Sequence, residues 1–131
     1  MLCVRRPVDK KILIVEDDDA IMDVLKIILN RAGYQTISFS DGHPLMNDEF
    51  EIPDLFLLDK QLSGIDGIDI CRHLKARDRT RNIPVIMISA NPQINEFSRQ
   101  AGADDYIEKP FTMSHLLETI KTHIHSPAEM I

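Results

Sequence analysis

The chain has 131 residues, of which 44% are hydrophobic and 27% charged, and this composition fits one globular domain with a buried core. Its 15 basic and 21 acidic residues give a net charge of −6, which disfavours direct binding to nucleic acid or to an anionic membrane. Two cysteines cannot form a disulfide framework, and no apolar run approaches the roughly 18 residues of a membrane span. We therefore expect a cytoplasmic protein.

Five segments have the patterns of β-strands. Residues 12–15, 55–58 and 85–88 are continuous apolar runs, which are typical of parallel strands buried on both faces. Residues 36–39 alternate in character, and residues 106–107 form a weaker run. These segments predict a five-stranded sheet.

Helical patterns lie between the strand patterns. The longest places apolar residues at i, i+3, i+4, i+7 and i+8, namely Ile21, Val24, Leu25, Ile28 and Leu29. Shorter patterns cover 68–74 and 116–124, and poorer ones cover 45–50 and 94–101. Strand and helix alternate five times, which predicts a doubly wound α/β sheet with right-handed crossovers.

Polar residues follow these strand patterns at the points where ligands bind to parallel sheets. Glu16 and Asp17 follow the first strand, Asp59 follows the run 55–58, Ser89 follows the run 85–88, and Lys109 follows the last strand. Each alone has an ordinary explanation, such as a helix cap, a turn residue or a solvated lysine. Together they predict an acidic cluster, a hydroxyl and an ammonium at one edge of the sheet.

This combination suits phosphoryl transfer. Carboxylates that converge from two strands repel each other, and a hard divalent cation such as Mg²⁺ relieves that repulsion. A carboxylate such as Asp59 can act as a nucleophile toward a phosphoryl group. A cation and a lysine can neutralise the charge on the transferring oxygens. No Gly-rich phosphate loop follows the first strand, which disfavours a nucleotide or flavin binder.

Residues 11–124 closely resemble the receiver domain of two-component response regulators. The resemblance rests on KKILIVEDDDAI, PDLFLLDKQLSGIDG, IPVIMISA and AGADDYIEKPF, which occur in the family's order. It implies a flavodoxin-like strand order of 2-1-3-4-5 with helices on both faces. It also implies a receiver domain over 11–125, between an N-terminal extension over 1–10 and a frayed tail over 126–131.

The resemblance also implies a role for each site residue. Asp59 would accept the phosphoryl group and, with Asp17, bind Mg²⁺ directly. Glu16 would bind the ion through water, and Gln61 through its backbone carbonyl. Lys109, in a cis Lys-Pro bond, would pair with Asp59 and the phosphoryl group. Two further residues would form the switch, in which Ser89 hydrogen-bonds the phosphoryl group and Tyr106 turns inward.

The implied function is a phosphorylation-dependent signalling switch that takes its phosphoryl group from a histidine kinase or a histidine phosphotransfer protein. Such a domain is not a metabolic enzyme and catalyses only its own phosphotransfer and slow dephosphorylation. One alternative is a degenerate receiver that acts as a constitutive protein-interaction module. Another is a phosphohydrolase of the haloacid dehalogenase family, which would need an aspartate where this chain has Gln61. The segment after Ser89 is short for the family and contains Pro92, which predicts a fourth helix that is short or mobile.

Overall fold

A computed structural model describes residues 10–62 and 64–124, and the five strands in this part of the chain form one sheet. All its neighbouring strands are parallel, and their order is β2-β1-β3-β4-β5. This confirms the expected fold. The strands are β1 (Lys11–Val15), β2 (Gln35–Phe39), β3 (Leu55–Asp59), β4 (Val85–Ser89) and β5 (Asp105–Glu108).

Five helices cover the two faces of the sheet. They are α1 (Asp19–Arg31), α2 (His43–Met46), α3 (Gly67–Lys75), α4 (Ile94–Ala101) and α5 (Met113–Lys121). Alternate residues of each central strand enter two separate cores, since successive strand side chains point to opposite faces. Ile12 and Leu57 pack with α1 and α5, whereas Leu13 and Phe56 pack with α2, α3 and α4.

Local sequence signals explain most helix boundaries. Asp18, Asp66 and Thr112 are the N-caps of α1, α3 and α5, and each side chain accepts a hydrogen bond from a backbone N–H in the first turn. Helix α4 has only eight residues and begins after Pro92, as predicted. The weak pattern over 45–50 yields only the four-residue α2.

Two details differ from the sequence analysis. Asp59 and Ser89 are the last residues of their strands and do not follow them, because strand pairing continues through both positions. Val24 lies in the apolar pattern of α1 but is 50% exposed, because the sheet covers only the side of the helix that carries Leu25 and Leu29.

The expected tail, 126–131, lies outside the described residues, as does the expected N-terminal extension except for Lys10. Within the part of the chain that the structure describes, no helix is long and apolar enough to cross a membrane.

Candidate functional site

Three carboxylates meet at the carboxyl edge of the sheet. Glu16 follows β1, and Asp59 ends the adjacent strand β3; both are buried, at 2% and 4% exposure, whereas Asp17 is exposed. One ligand oxygen from each of the three lies within 4.8 Å of the others. Three oxygen donors this close could together hold a metal ion, and hard divalent cations prefer such ligands.

Lys109 is the cation that faces this cluster. Its ammonium lies 3.1 Å from Oδ2 of Asp59 and 3.4 Å from Oε1 of Glu16. Burial alone would lower the pKa of Lys109, but the two carboxylates outweigh burial and raise that pKa above its ordinary value. The lysine is therefore charged and bridges the ends of β1 and β3.

The pKa of Glu16 is shifted in the opposite direction from that of an acid held only by an ion pair. Burial raises the pKa of its carboxyl to about 7, and a hydrogen bond with Asp59 adds to the rise. A backbone hydrogen bond from Asp18 and the charge of Lys109 oppose the rise only in part. The folded chain therefore holds a proton on Glu16 up to a higher pH than an exposed glutamate would.

The acidic run 16–19 divides into separate roles. Glu16 and Asp17 contribute to the carboxylate cluster, whereas Asp18 is the N-cap of α1 and accepts a hydrogen bond from the N–H of Ile21 at 3.0 Å. Asp19 lies in the first turn of α1, where a carboxylate complements the helix dipole. The structural explanation therefore holds for Asp18 and Asp19, whereas Glu16 and Asp17 lie in the carboxylate cluster.

Asp59 is held by the segment that follows it. The backbone N–H of Gln61 donates to Oδ1 of Asp59 at 3.0 Å. Gly67, the first residue of α3, packs so closely that a Cβ there would clash with the backbone oxygen of Asp59. Glycine at this position therefore allows α3 to begin directly against the end of β3.

Ser89 and Tyr106 lie on the neighbouring strands β4 and β5. Ser89 is buried, and its Oγ accepts a hydrogen bond from the N–H of Asn91 at 3.0 Å. Tyr106 is half-buried and borders open grooves next to α4 and α5. The peptide bond between Lys109 and Pro110 is cis, as expected. The predicted site residues thus lie at the carboxyl ends of the strands or just after them, except Tyr106, which lies within β5 beside Met87 of β4.

Two contacts of Lys60 near the site were not predicted from the sequence. The ammonium of Lys60 lies 3.2 Å from Oδ2 of Asp66 and 4.7 Å from the centre of the Phe97 ring. A partner 37 positions away in the chain gives no periodic signal, so only the folded structure brings the lysine and the ring together.

Comparison with known families and curated proteins gives one consistent result. Residues 12–121 match the family described as the response regulator receiver domain. The chain is 39% identical over 115 residues to the phosphate regulon transcriptional regulatory protein PhoB of Escherichia coli, which covers 86% of this chain and 50% of PhoB. It is 34% identical over 129 residues to the DNA-binding response regulator MtrA of Mycolicibacterium smegmatis, covering 93% of this chain and 55% of MtrA. The chain thus spans about half the length of these relatives.

Solved structures agree. The receiver domain of the sensor histidine kinase PA1611 from Pseudomonas aeruginosa, with a magnesium ion in its active-site cleft, matches with a TM-score of 0.81 and 31% identity, covering 89% of this chain and 98% of that one. The response regulator TrrA of Thermotoga maritima, in complex with Mg²⁺ and BeF, matches with a TM-score of 0.78 and 27% identity, covering 88% and 99%.

Proposed function

This chain belongs to the response regulator receiver family, a family of signalling domains and not of metabolic enzymes, and from that premise we propose that Asp59 accepts a phosphoryl group that switches a signalling surface. The observation that carries the proposal is the position of the Asp59 carboxylate, which is buried, lies in an acidic cluster and is paired with Lys109. All the residues that the reaction needs are present, which favours an active phosphoacceptor over a degenerate interaction module.

The chemistry is a nucleophilic displacement at phosphorus. An oxygen of Asp59 forms a bond to phosphorus as the bond between phosphorus and the donor's imidazole nitrogen breaks. The phosphorylated donor ring carries a proton on its other nitrogen, so the histidine leaves as a neutral imidazole. Lys109 faces the reacting carboxylate and neutralises charge on the transferring oxygens. Ser89 exchanges its contact with Asn91 for a hydrogen bond to the new phosphoryl group.

The donor set of the cluster fits Mg²⁺. Asp17 and Asp59 would hold the ion directly, and Glu16 would hold it through water. The backbone carbonyl of Gln61, which lines a cleft with Asp17, would be a further ligand. When bound, Mg²⁺ supplies charge neutralisation at the phosphoryl oxygens. Lys109 already contacts Asp59 and Glu16, and the ion would add positive charge beside them.

The signalling step uses Ser89 and Tyr106. As Ser89 turns toward the phosphoryl group, Tyr106 moves inward from the grooves that it borders beside α4 and α5. This movement changes the surface formed by α4, β5 and α5, which a partner can then recognise.

The first test is intact-mass spectrometry after incubation with acetyl phosphate. We expect one phosphoryl mass increment with Mg²⁺, and none after EDTA or in Asp59→Asn. Asp69→Asn is the matched control, because Asp69 is an exposed aspartate on α3 outside the cluster. Labelling that persists in Asp59→Asn contradicts the assignment of the phosphoacceptor.

The phosphoryl donor is a histidine kinase or a histidine phosphotransfer protein that docks beside the site. An open, apolar cleft of about 460 Å³ reaches Lys109 and is lined by Ile21 and Val24 of α1 and by Phe111. Exposed Asp19 and Asp23 are the sequence neighbours of two lining residues of α1, Ala20 and Val24. This surface fits a donor helix with apolar and basic side chains. A histidine kinase takes its phosphoryl group from ATP, so the proposed exchange takes place in the cytoplasm.

A matched pair on α1 tests the docking surface. Val24 and Ile27 are similarly exposed, at 50% and 52%, but only Val24 lines the cleft. We expect Val24→Asp to slow phosphoryl transfer from a phosphorylated histidine phosphotransfer protein more than Ile27→Asp does, because a buried charge at an interface is costly. Labelling by acetyl phosphate should be equal in both variants. Equal transfer rates from the protein donor would contradict docking at this cleft.

A further inference from the structure

Lys60 joins two elements beside the phosphoacceptor. It follows Asp59 in the chain, and its side chain is only 14% exposed. Its ammonium is 3.2 Å from Oδ2 of Asp66, the N-cap of α3, and 4.7 Å from the centre of the Phe97 ring on α4. The second distance is within the range of a cation–π contact. A single, mostly buried cation thus links the end of β3 to the N-cap of α3 and to α4.

The backbone of Lys60 is fixed on both sides. Its N–H donates to the carbonyl of Ile88 at 2.9 Å, and its carbonyl accepts from the N–H of Gly67 at 3.0 Å. A Cβ on Gly67 would lie 2.9 Å from the Cα of Lys60, so the two segments are in close contact. Because the backbone is held between β4 and α3, the Lys60 ammonium can leave the Phe97 ring only by rotation of the Lys60 side chain.

Phosphorylation of Asp59 would alter a contact of Gln61, the residue that follows Lys60. Gln61 donates its N–H to the Asp59 oxygen Oδ1, and that bond changes when the carboxylate becomes an acyl phosphate. Lys60 also borders an open polar cleft of about 480 Å³ together with Asp17, Gln61 and Asp66. Negative charge added to Asp59 therefore appears next to the cleft that the Lys60 ammonium borders, and it attracts that ammonium away from the ring.

Helix α4 is well suited to respond. It has eight residues, and its N-cap, Gln93, makes no side-chain hydrogen bond to the helix. Its buried residues are only Ile94, Ser98 and Ala101, and Phe97 is partly buried against the core beneath α3 and α4. A short helix with few anchors can change its position when one of its contacts changes.

We infer that Lys60 is a positioning residue that couples phosphorylation of Asp59 to α4 through the ring of Phe97. This coupling rests on the proposed function and acts beside the movement of Ser89 and Tyr106. The lysine does not touch the reacting atoms, so its removal leaves phosphorylation intact and uncouples α4 from it.

The test compares amide chemical shifts before and after beryllium fluoride and Mg²⁺ are added as a phosphoryl mimic. We expect the shift changes of residues 94–101 to be largely lost in Lys60→Met, which removes the charge, and in Phe97→Leu, which removes the ring. Lys60→Arg and Phe97→Tyr should retain them, because they keep a cation and a ring. Lys121→Met is the matched control for losing one lysine charge, since Lys121 is exposed on α5.

Two measurements separate this coupling from the proposed function. Labelling of Asp59 by acetyl phosphate, read by intact mass, should be as extensive in Lys60→Met as in the unmodified chain. Shift changes over 94–101 that persist in both Lys60→Met and Phe97→Leu overturn the coupling, as does loss of labelling in Lys60→Met. If Lys60→Met fails to fold, the comparison of the shift changes over 94–101 in Phe97→Leu and in Phe97→Tyr decides whether the coupling needs the ring. Failure of the unmodified chain to be labelled would instead count against the proposed function.

Discussion

The two edges of the sheet use aspartate and glutamate in opposite ways. At the amino edge, Asp54 precedes β3, and Asp104 precedes β5. The N–H of Asp54 donates to the carbonyl of Lys11 at 2.8 Å, and its side chain accepts from the N–H of Lys11 at 2.7 Å. Asp104 makes the same pair of bonds with Val85, at 2.8 Å each, and its side chain also pairs with Lys75 at 2.7 Å. Each carboxylate there has its own donors.

At the carboxyl edge, three carboxylates lie within 4.8 Å of one another, and Lys109 contacts two of them. Carboxylates at the amino edge thus extend the hydrogen bonding of the sheet. Those at the carboxyl edge repel one another, and a bound cation or a phosphoryl group would change that repulsion. Substitutions that remove a carboxylate should therefore have opposite effects on stability at the two edges.

The largest expected effect is on the pH dependence of stability in Glu16→Gln. The raised pKa means that folded Glu16 keeps a proton that the unfolded chain loses between about pH 4.5 and 7, so stability falls as pH rises through that range. At 1.36 kcal/mol per pH unit the loss is up to about 3 kcal/mol, and Glu16→Gln should remove it. Urea unfolding at pH 5 and pH 8 without Mg²⁺ measures the difference.

At pH 8 the glutamine variant should be more stable than the unmodified chain, since its amide can still accept from Asp18 and hydrogen-bond Asp59. Asp69→Asn, which changes an exposed acid, should leave the pH profile unchanged. If the free energy of unfolding of Glu16→Gln and of the unmodified chain changed with pH in the same way, repulsion between carboxylates at the carboxyl edge would not destabilise the fold.

A smaller effect of opposite sign is expected at the amino edge. Asp104→Ala removes the acceptor of the Val85 N–H and the ion-pair partner of Lys75, and we expect a loss of about 2 kcal/mol in the free energy of unfolding. The loss stays moderate because Lys75 keeps the carbonyls of Arg81 and Ile83. Urea unfolding at pH 7 measures it.

Asp54→Ala is the matched variant within the same edge. It removes the acceptor of one backbone N–H, that of Lys11, so its cost should be smaller, about 1 kcal/mol. Phosphoryl labelling should be unaffected in both variants. An increase in stability in either one would break the distinction between the two edges.

The candidate site shows how far sequence patterns reach. The predicted β1, β3 and β4 are correct because apolar runs of four residues have few alternatives in a sheet covered on both faces. The convergence of Glu16, Asp17 and Asp59 follows from parallel topology alone, because parallel strands end at one edge. The exposure of Val24 could not be predicted, since a helical period marks the apolar face of α1 but not how much of that face the sheet covers.

The sequence by itself determined the alternation of strands and helices along the chain and the polar residues at the carboxyl edge, because each depends on local residue types or on strand direction. Only the tertiary structure decided how the aspartates and glutamates are paired. Asp18 became a cap, Asp104 a partner of Lys75, and Glu16 a buried acid with a raised pKa. Lys60 reached Phe97 in the same way. Electrostatic interactions depend on distance and burial, and those quantities exist only when residues far apart in the chain have been brought together.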